Sequence, residues 1–308
     1  MLNCCVFAGQ GAQFPGMGAD FAAADSEIEA LFDRANEMLG FDLKGVCFNG
    51  PQEELTKSNI CQPAIFVTSY AAYTALAKKR PGLEFACAAG LSLGEWGALC
   101  VAGVLDFEST LKVLESRGRF MQEACEEMPG AMIAIVGASK EQLDELCTKT
   151  GCTVANINSA QQQVLSGSKE GVAAAAVVAK ELGIKRAIPL ATAGAFHSRF
   201  MASAREKLAG VLDTVEFKTP RIPVLSNVTG APHSSDPGAI KAAMLEQVTG
   251  TTNWAADVEA AKSLGAGRFV EFGPGKVLSG LVKKIDPALE TLNVADVPSL
   301  EATAAALA

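Results

Sequence analysis

The chain has 308 residues, 49% of them hydrophobic and 19% charged, with a formal net charge of −8. That much apolar material supports a large buried core and argues against global disorder. The acidic balance offers no basic stripe to neutralise phosphates, so nucleic-acid binding is not expected. No run of about 18 apolar residues occurs, so no membrane span is expected either.

Cys4–Ala8 reads as a short buried strand with no cationic, apolar leader before it, followed by the loop Gly9-Gln10-Gly11-Ala12-Gln13. Ser26–Leu39 has helical spacing, with Ile28, Leu31, Phe32 and Ala35 on one face. Asn59–Leu76 is a second helix, in which Pro63 is tolerable only near the first turn. Phe85–Ala89 is short, apolar and glycine-bounded, as suits a central parallel strand, and Gly94–Val101 then reads as helix. A further helix runs through Phe107–Glu126. Strand, tight turn and helix in succession indicate an α/β architecture.

The composition changes after Met128-Pro129-Gly130. Strands at Ala131–Val136, Thr153–Ile157, Gln163–Ser166 and Ala187–Leu190 alternate with helices at Lys140–Lys149 and Gly171–Leu182. This β-α-β-β-α-β order is that of a ferredoxin-like insert. We set it at residues 129–191, between two parts of a larger domain at 1–128 and 192–308. The larger domain resumes with a strand at Val224–Asn227, a helix at Asp257–Ser263 and a strand at Arg268–Glu271.

The strongest local signal is Gly90-Leu91-Ser92-Leu93-Gly94, which fits the G-x-S-x-G turn that lifts a serine between strand and helix. The amide of Leu93, at the helix start, would face the oxygen of a tetrahedral intermediate. Read blandly, the serine is only an N-cap in a glycine-bounded turn. A serine hydroxyl needs a base within hydrogen-bond reach, and only His197 and His233 exist. His233 lies in a polar turn expected to project into water, so His197 is the better candidate. The nine cysteines form no C-x-x-C pair and no set with histidine, so buried thiols are expected and no metal.

Five segments in order now matter: Gly9–Gln13, Gly90–Glu95, Glu115–Gln122, Phe196-His197-Ser198 and Glu271–Leu278. Together they resemble the malonyl-CoA:acyl carrier protein transacylases of fatty-acid synthesis, over about Phe7 to Ile285. The resemblance implies an α/β-hydrolase-like large domain with a parallel sheet and a ferredoxin-like small subdomain. It implies ping-pong transfer of malonyl from CoA to the carrier's phosphopantetheine thiol, with Ser92 as nucleophile and His197 as base. The implied oxyanion donors are the backbone amides of Gln10 and Leu93. Arg117 matches the malonate-binding arginine, whose fork can hold a carboxylate by two parallel hydrogen bonds. Read alone, Arg117 would be an exposed helix arginine pairing with Glu115 or Glu123. Gln247 matches the position whose carbonyl orients the histidine. Leu91, Trp96, Ala8 and Arg199 depart from common family residues without removing a catalytic group.

Gly273-Pro274-Gly275-Lys276 is not a phosphate loop, because Val270 and Val277 stand where glycine and Ser or Thr are needed. The expected partners are malonyl-CoA and acyl carrier protein, with Arg199, Lys276, Lys283 and Lys284 as candidate carrier contacts. No cofactor is expected, and a monomer is the default. The compartment is bacterial cytoplasm or plastid stroma, the Leu91 variant favouring the latter. The rival readings are a polyketide acyltransferase, a serine hydrolase and a non-catalytic carrier-binding protein.

Overall fold

The computed structural model describes residues 1–308. Four strands form a parallel sheet in the order β10-β9-β1-β2, from Leu2–Phe7 (β1), Cys87–Gly90 (β2), Ala266–Phe272 (β9) and Glu290–Val294 (β10). Apolar side chains of β1 leave on both faces and are buried on both, as a sheet covered by helices on each side requires. Cys5 and Phe7 join the main core with Phe32, Ile65 and Leu114, while Cys4 and Val6 pack with Trp254, Phe269 and Leu281.

The helix Ser26–Leu39 has the bounds read from its periodicity. Asp25 caps its start by accepting from the Glu27 amide, and Gly40 ends it at φ 72°. Pro63 lies in the second turn of the helix Ser58–Lys79. The segment around Val224 forms less strand than expected. Only Leu225–Ser226 (β7) pairs, with Ala231–Pro232 (β8), while Val224 bridges Ala88 in parallel.

A second, antiparallel sheet has the order β4-β5-β3-β6, from Gly130–Val136 (β3), Thr153–Ser159 (β4), Gln162–Ser168 (β5) and Arg186–Pro189 (β6). With its helices Lys140–Thr150 and Lys169–Glu181 this is the ferredoxin-like arrangement. Period-two alternation divides β3 between two cores. Ile133 and Ile135 pack with Leu146, Leu165 and Val172 under the two helices, while Met132 and Ala134 face the main core. No helix is long and apolar enough to cross a membrane. All nine cysteines are free, and all but Cys147 are buried.

Candidate active site

Ser92 follows β2 directly and precedes the helix Leu93–Val101, with φ 53° and ψ −101°, outside the regions ordinary residues occupy. The flanking glycines make the turn sterically possible. A Cβ on Gly90 would lie 2.0 Å from the carbonyl carbon of Gly94, and one on Gly94 would lie 2.0 Å from the Phe7 oxygen. Glycine is required at both positions.

Two side chains converge on the Ser92 hydroxyl. His197 Nε2 lies 2.8 Å from Ser92 Oγ, and Arg117 donates to the same oxygen at 3.1 Å. His197 Nδ1 lies 2.9 Å from the carbonyl oxygen of Gln247, which fixes the proton on Nδ1 and leaves Nε2 as the basic atom. His197, like Ser92, has positive φ, at 54°. The small sheet helps to hold it, since Ser166 of β5 donates to the carbonyl of the preceding Phe196 at 2.5 Å.

Arg117 leaves the inner face of the helix Phe107–Glu127 and is 1% exposed. Its guanidinium donates to Gln62 Oε1 at 2.7 Å and Gln247 Oε1 at 3.0 Å, and to no carboxylate. The exposed partner of Glu115 and Glu123 is Arg119, two residues on and therefore on the opposite face. The Gln247 side chain thus joins the site together with its carbonyl: Oε1 accepts from Arg117, and Nε2 donates to Ser92 O at 2.9 Å.

The backbone N–H groups of Gln10 and Leu93 make no hydrogen bond within the protein, and both residues lie at the serine. Gly9 packs so closely on the Leu91 oxygen that a Cβ there would sit 2.7 Å from it, which brings the first loop against the turn. Gln10, Ser92, Phe196 and His197 line a cavity of about 280 Å³ whose other walls include Met132, Asn158 and Val164 of the small sheet. A larger hollow of about 530 Å³ lies elsewhere, among Arg34, Asp106, Lys218 and Arg221, and contains none of these groups.

Burial, with the Arg117 charge beside it, pushes the His197 imidazole down to about 4, against the hydrogen bond that the ring donates to the Gln247 carbonyl. At neutral pH the ring is therefore unprotonated, as a base must be. Burial also lowers Arg117 to about 10, opposed by the Glu95 carboxylate, so the guanidinium stays charged.

His233 differs from the sequence-based expectation. Its side chain is 2% exposed, and Nε2 lies 2.6 Å from Glu95 Oε1. The short β7–β8 pair folds the turn inward, and the His233 amide donates to Val224 O at 2.8 Å. Sequence reasoning also missed Gln62, Glu95 and Asn227. Asn227 Oδ1 accepts from the Ser92 amide at 2.6 Å. For Glu95 a signal existed, a carboxylate amid the apolar helix after the elbow. For Gln62 and Asn227 none did.

This arrangement can deprotonate a serine and stabilise an oxyanion beside a buried, charged guanidinium. The acyl transferase domain family matches residues 4–285. The malonyl CoA-acyl carrier protein transacylase of Bacillus subtilis is 40% identical over 301 residues, 96% of this chain and 94% of that protein. The crystal structure of malonyl CoA-acyl carrier protein transacylase from Clostridium perfringens is 38% identical, with a TM-score of 0.94 over 100% of this chain and 97% of that one. A malonyl-transacylase in complex with its type II PKS acyl-carrier protein is also 38% identical, with a TM-score of 0.95 over 99% of this chain and 100% of that one. The chain therefore belongs to the acyl transferase family, among the malonyl CoA-acyl carrier protein transacylases.

Proposed function

We propose that the chain transfers malonyl groups from malonyl-CoA to the phosphopantetheine thiol of acyl carrier protein, supplying fatty-acid synthesis. His197 Nε2 takes the Ser92 proton as Oγ attacks the thioester carbon. The carbonyl electrons move onto the oxygen, held by the amides of Gln10 and Leu93. Collapse breaks the C–S bond, and coenzyme A leaves with the proton from His197. The carrier thiol then attacks the Ser92 ester by the same steps in reverse. No resident cofactor takes part.

The observation that carries this reading is the placement of Arg117. A buried guanidinium 3.1 Å from the nucleophile, with no carboxylate partner of its own, suits an acyl group that brings a carboxylate. An esterase for neutral acyl groups has no use for that charge. A neutral acetyl group would leave the guanidinium unpaired, a loss of roughly 2–5 kcal/mol for a buried charge-assisted contact.

The relatives named above favour a bacterial cytoplasm over a plastid stroma, and a monomer suffices because one chain supplies every group. For the acidic carrier, exposed Lys276 and Lys284 stand beside the cleft, on the helical segment whose Val277 and Leu281 line the cavity, whereas exposed Lys283 turns to the Pro287 carbonyl on the other side of that helix. Exposed Arg199 follows His197 by two residues.

Mass spectrometry of the intact chain after exposure to malonyl-CoA tests the reading. One malonyl group should be gained on Ser92, be discharged by holo-carrier, and be absent from Ser92→Ala. Rapid release of free malonate without transfer to carrier would make the protein a hydrolase instead.

A further inference from the structure

The backbone of Ser92 is held by side chains remote in sequence. Its N–H donates to Asn227 Oδ1 at 2.6 Å, and its carbonyl accepts from Gln247 Nε2 at 2.9 Å. A residue in so sparsely populated a conformation persists only where its surroundings over-determine it. Both clamps meet at one carboxylate. Glu95 Oε2 accepts from Gln247 Nε2 at 2.5 Å and from the Asn227 amide at 3.3 Å, while Oε1 faces His233 Nε2 at 2.6 Å. Glu95 is wholly buried, and a buried carboxylate demands such partners.

The charges around Gln247 decide which way its amide points. Its Oε1 accepts from the Arg117 guanidinium, and its NH2 group faces the Glu95 carboxylate and the Ser92 carbonyl. Turned over, the amide would set donor against donor and acceptor against acceptor. Arg117, Gln247, Glu95 and His233 thus form a continuous buried line. Beyond Asn227, whose Nδ2 donates to it at 2.7 Å, stands Asp257, the other carboxyl facing this network.

We infer that Glu95, secured from outside by His233, is a positioning residue for acyl transfer: its carboxylate locks Gln247 and Asn227, and through them the Ser92 backbone and the Arg117 guanidinium. The inference rests on the acyl-transfer reading above. Glu95 touches no reacting atom. Its effect reaches the substrate by way of Arg117, so it appears in discrimination between malonyl and acetyl groups as well as in rate.

The test compares Ser92 loading from malonyl-CoA and from acetyl-CoA, each per active site as titrated by the acyl-enzyme formed. Glu95→Gln preserves shape and removes the charge. It should lower kcat/KM for malonyl-CoA about tenfold or more and lower the malonyl-to-acetyl ratio, with KM for malonyl-CoA raised. His233→Phe fills the ring volume without a donor and should lower the same ratio, whereas His233→Gln, which can still donate to Glu95, should recover most of the loss. If Glu95→Gln does not fold, the two His233 variants decide. A wild-type ratio in Glu95→Gln or His233→Phe, with only thermal stability reduced, overturns the inference. Failure of the unaltered protein to load from malonyl-CoA would instead sink the reading beneath it.

Discussion

The two walls of the cleft are built by different physics. On the parallel-sheet side, Ser92 is strained, Arg117 and Glu95 are buried charges, and the contacts that hold the serine join residues 25 to 155 positions apart. On the antiparallel-sheet side, β3 alternates between two apolar cores, and the cavity wall includes Met132, Asn158 and Val164, with no charged side chain among them. The small sheet gives the cleft its shape, while the large domain concentrates the reactive polarity. Substitutions on the first wall should therefore alter chemistry and selectivity, and those on the second stability.

The largest effect should come from Arg117→Lys. An ammonium cannot reproduce the planar fork, and kcat/KM for malonyl-CoA should fall about 30-fold or more. Acetyl-CoA loading should fall far less, as measured by acyl-enzyme formation under the same conditions. Equal losses for both substrates would show that Arg117 supports the wall and does not read the carboxylate.

Next is the pH dependence of loading. The imidazole at about 4 stays unprotonated at pH 5, where a histidine at the usual value of about 6.5 would be about 97% protonated. The pH profile of kcat/KM, which reports the free enzyme, should be flat from about pH 5 to neutrality. At pH 5 that rate is about 30-fold above what an ordinary histidine allows. An inflection near 6.5 would mean that water reaches the ring.

The contrast between the walls also explains what could be read from the chain. Alternation in Ala131–Val136 and helical spacing in Ser26–Leu39 are local, so both elements emerge within a residue of their bounds. Ser92 was legible because its turn is local too, its glycines being demanded by contacts within a few residues and by the neighbouring strand. Arg117 and Gln247 became visible only through the family resemblance, since without it nothing sets Arg117 apart from an ordinary helix arginine or Gln247 from a polar residue near a helix end. Asn227 and His233 stayed hidden because their contacts join residues 135 and 138 positions apart, and the β7–β8 turn that brings His233 inward has two residues in each strand.

On the small-sheet wall, Ile133→Ala is the sharper probe. Ile133 points away from the cleft into the core under the two insert helices, fully buried beside Leu146 and Leu165. Its truncation should cost about 2–5 kcal/mol in denaturant unfolding. Loading per folded molecule at low temperature should change little. A loss of rate as large as the loss of stability would show that the two walls are mechanically one.

The smallest effect tests the polar wall for stored cost. Burial, reinforced by the Glu95 carboxylate, holds the Asp257 carboxyl well above its ordinary range. A carboxyl raised on folding binds its proton more tightly in the native than in the unfolded chain. Its contribution is therefore fully present below about pH 4 and is lost as pH rises through the folded value. Asp257→Asn retains an oxygen for Asn227 Nδ2 and removes the titration. Its stability relative to the parent should improve with rising pH above about 4, by at most about 1.4 kcal/mol per pH unit. Denaturant midpoints across that range measure the gap. A parent that instead gains on the variant as pH rises would mean that Asp257 is a favourable anion there, and that the network behind Ser92 stabilises the fold as well as orienting it.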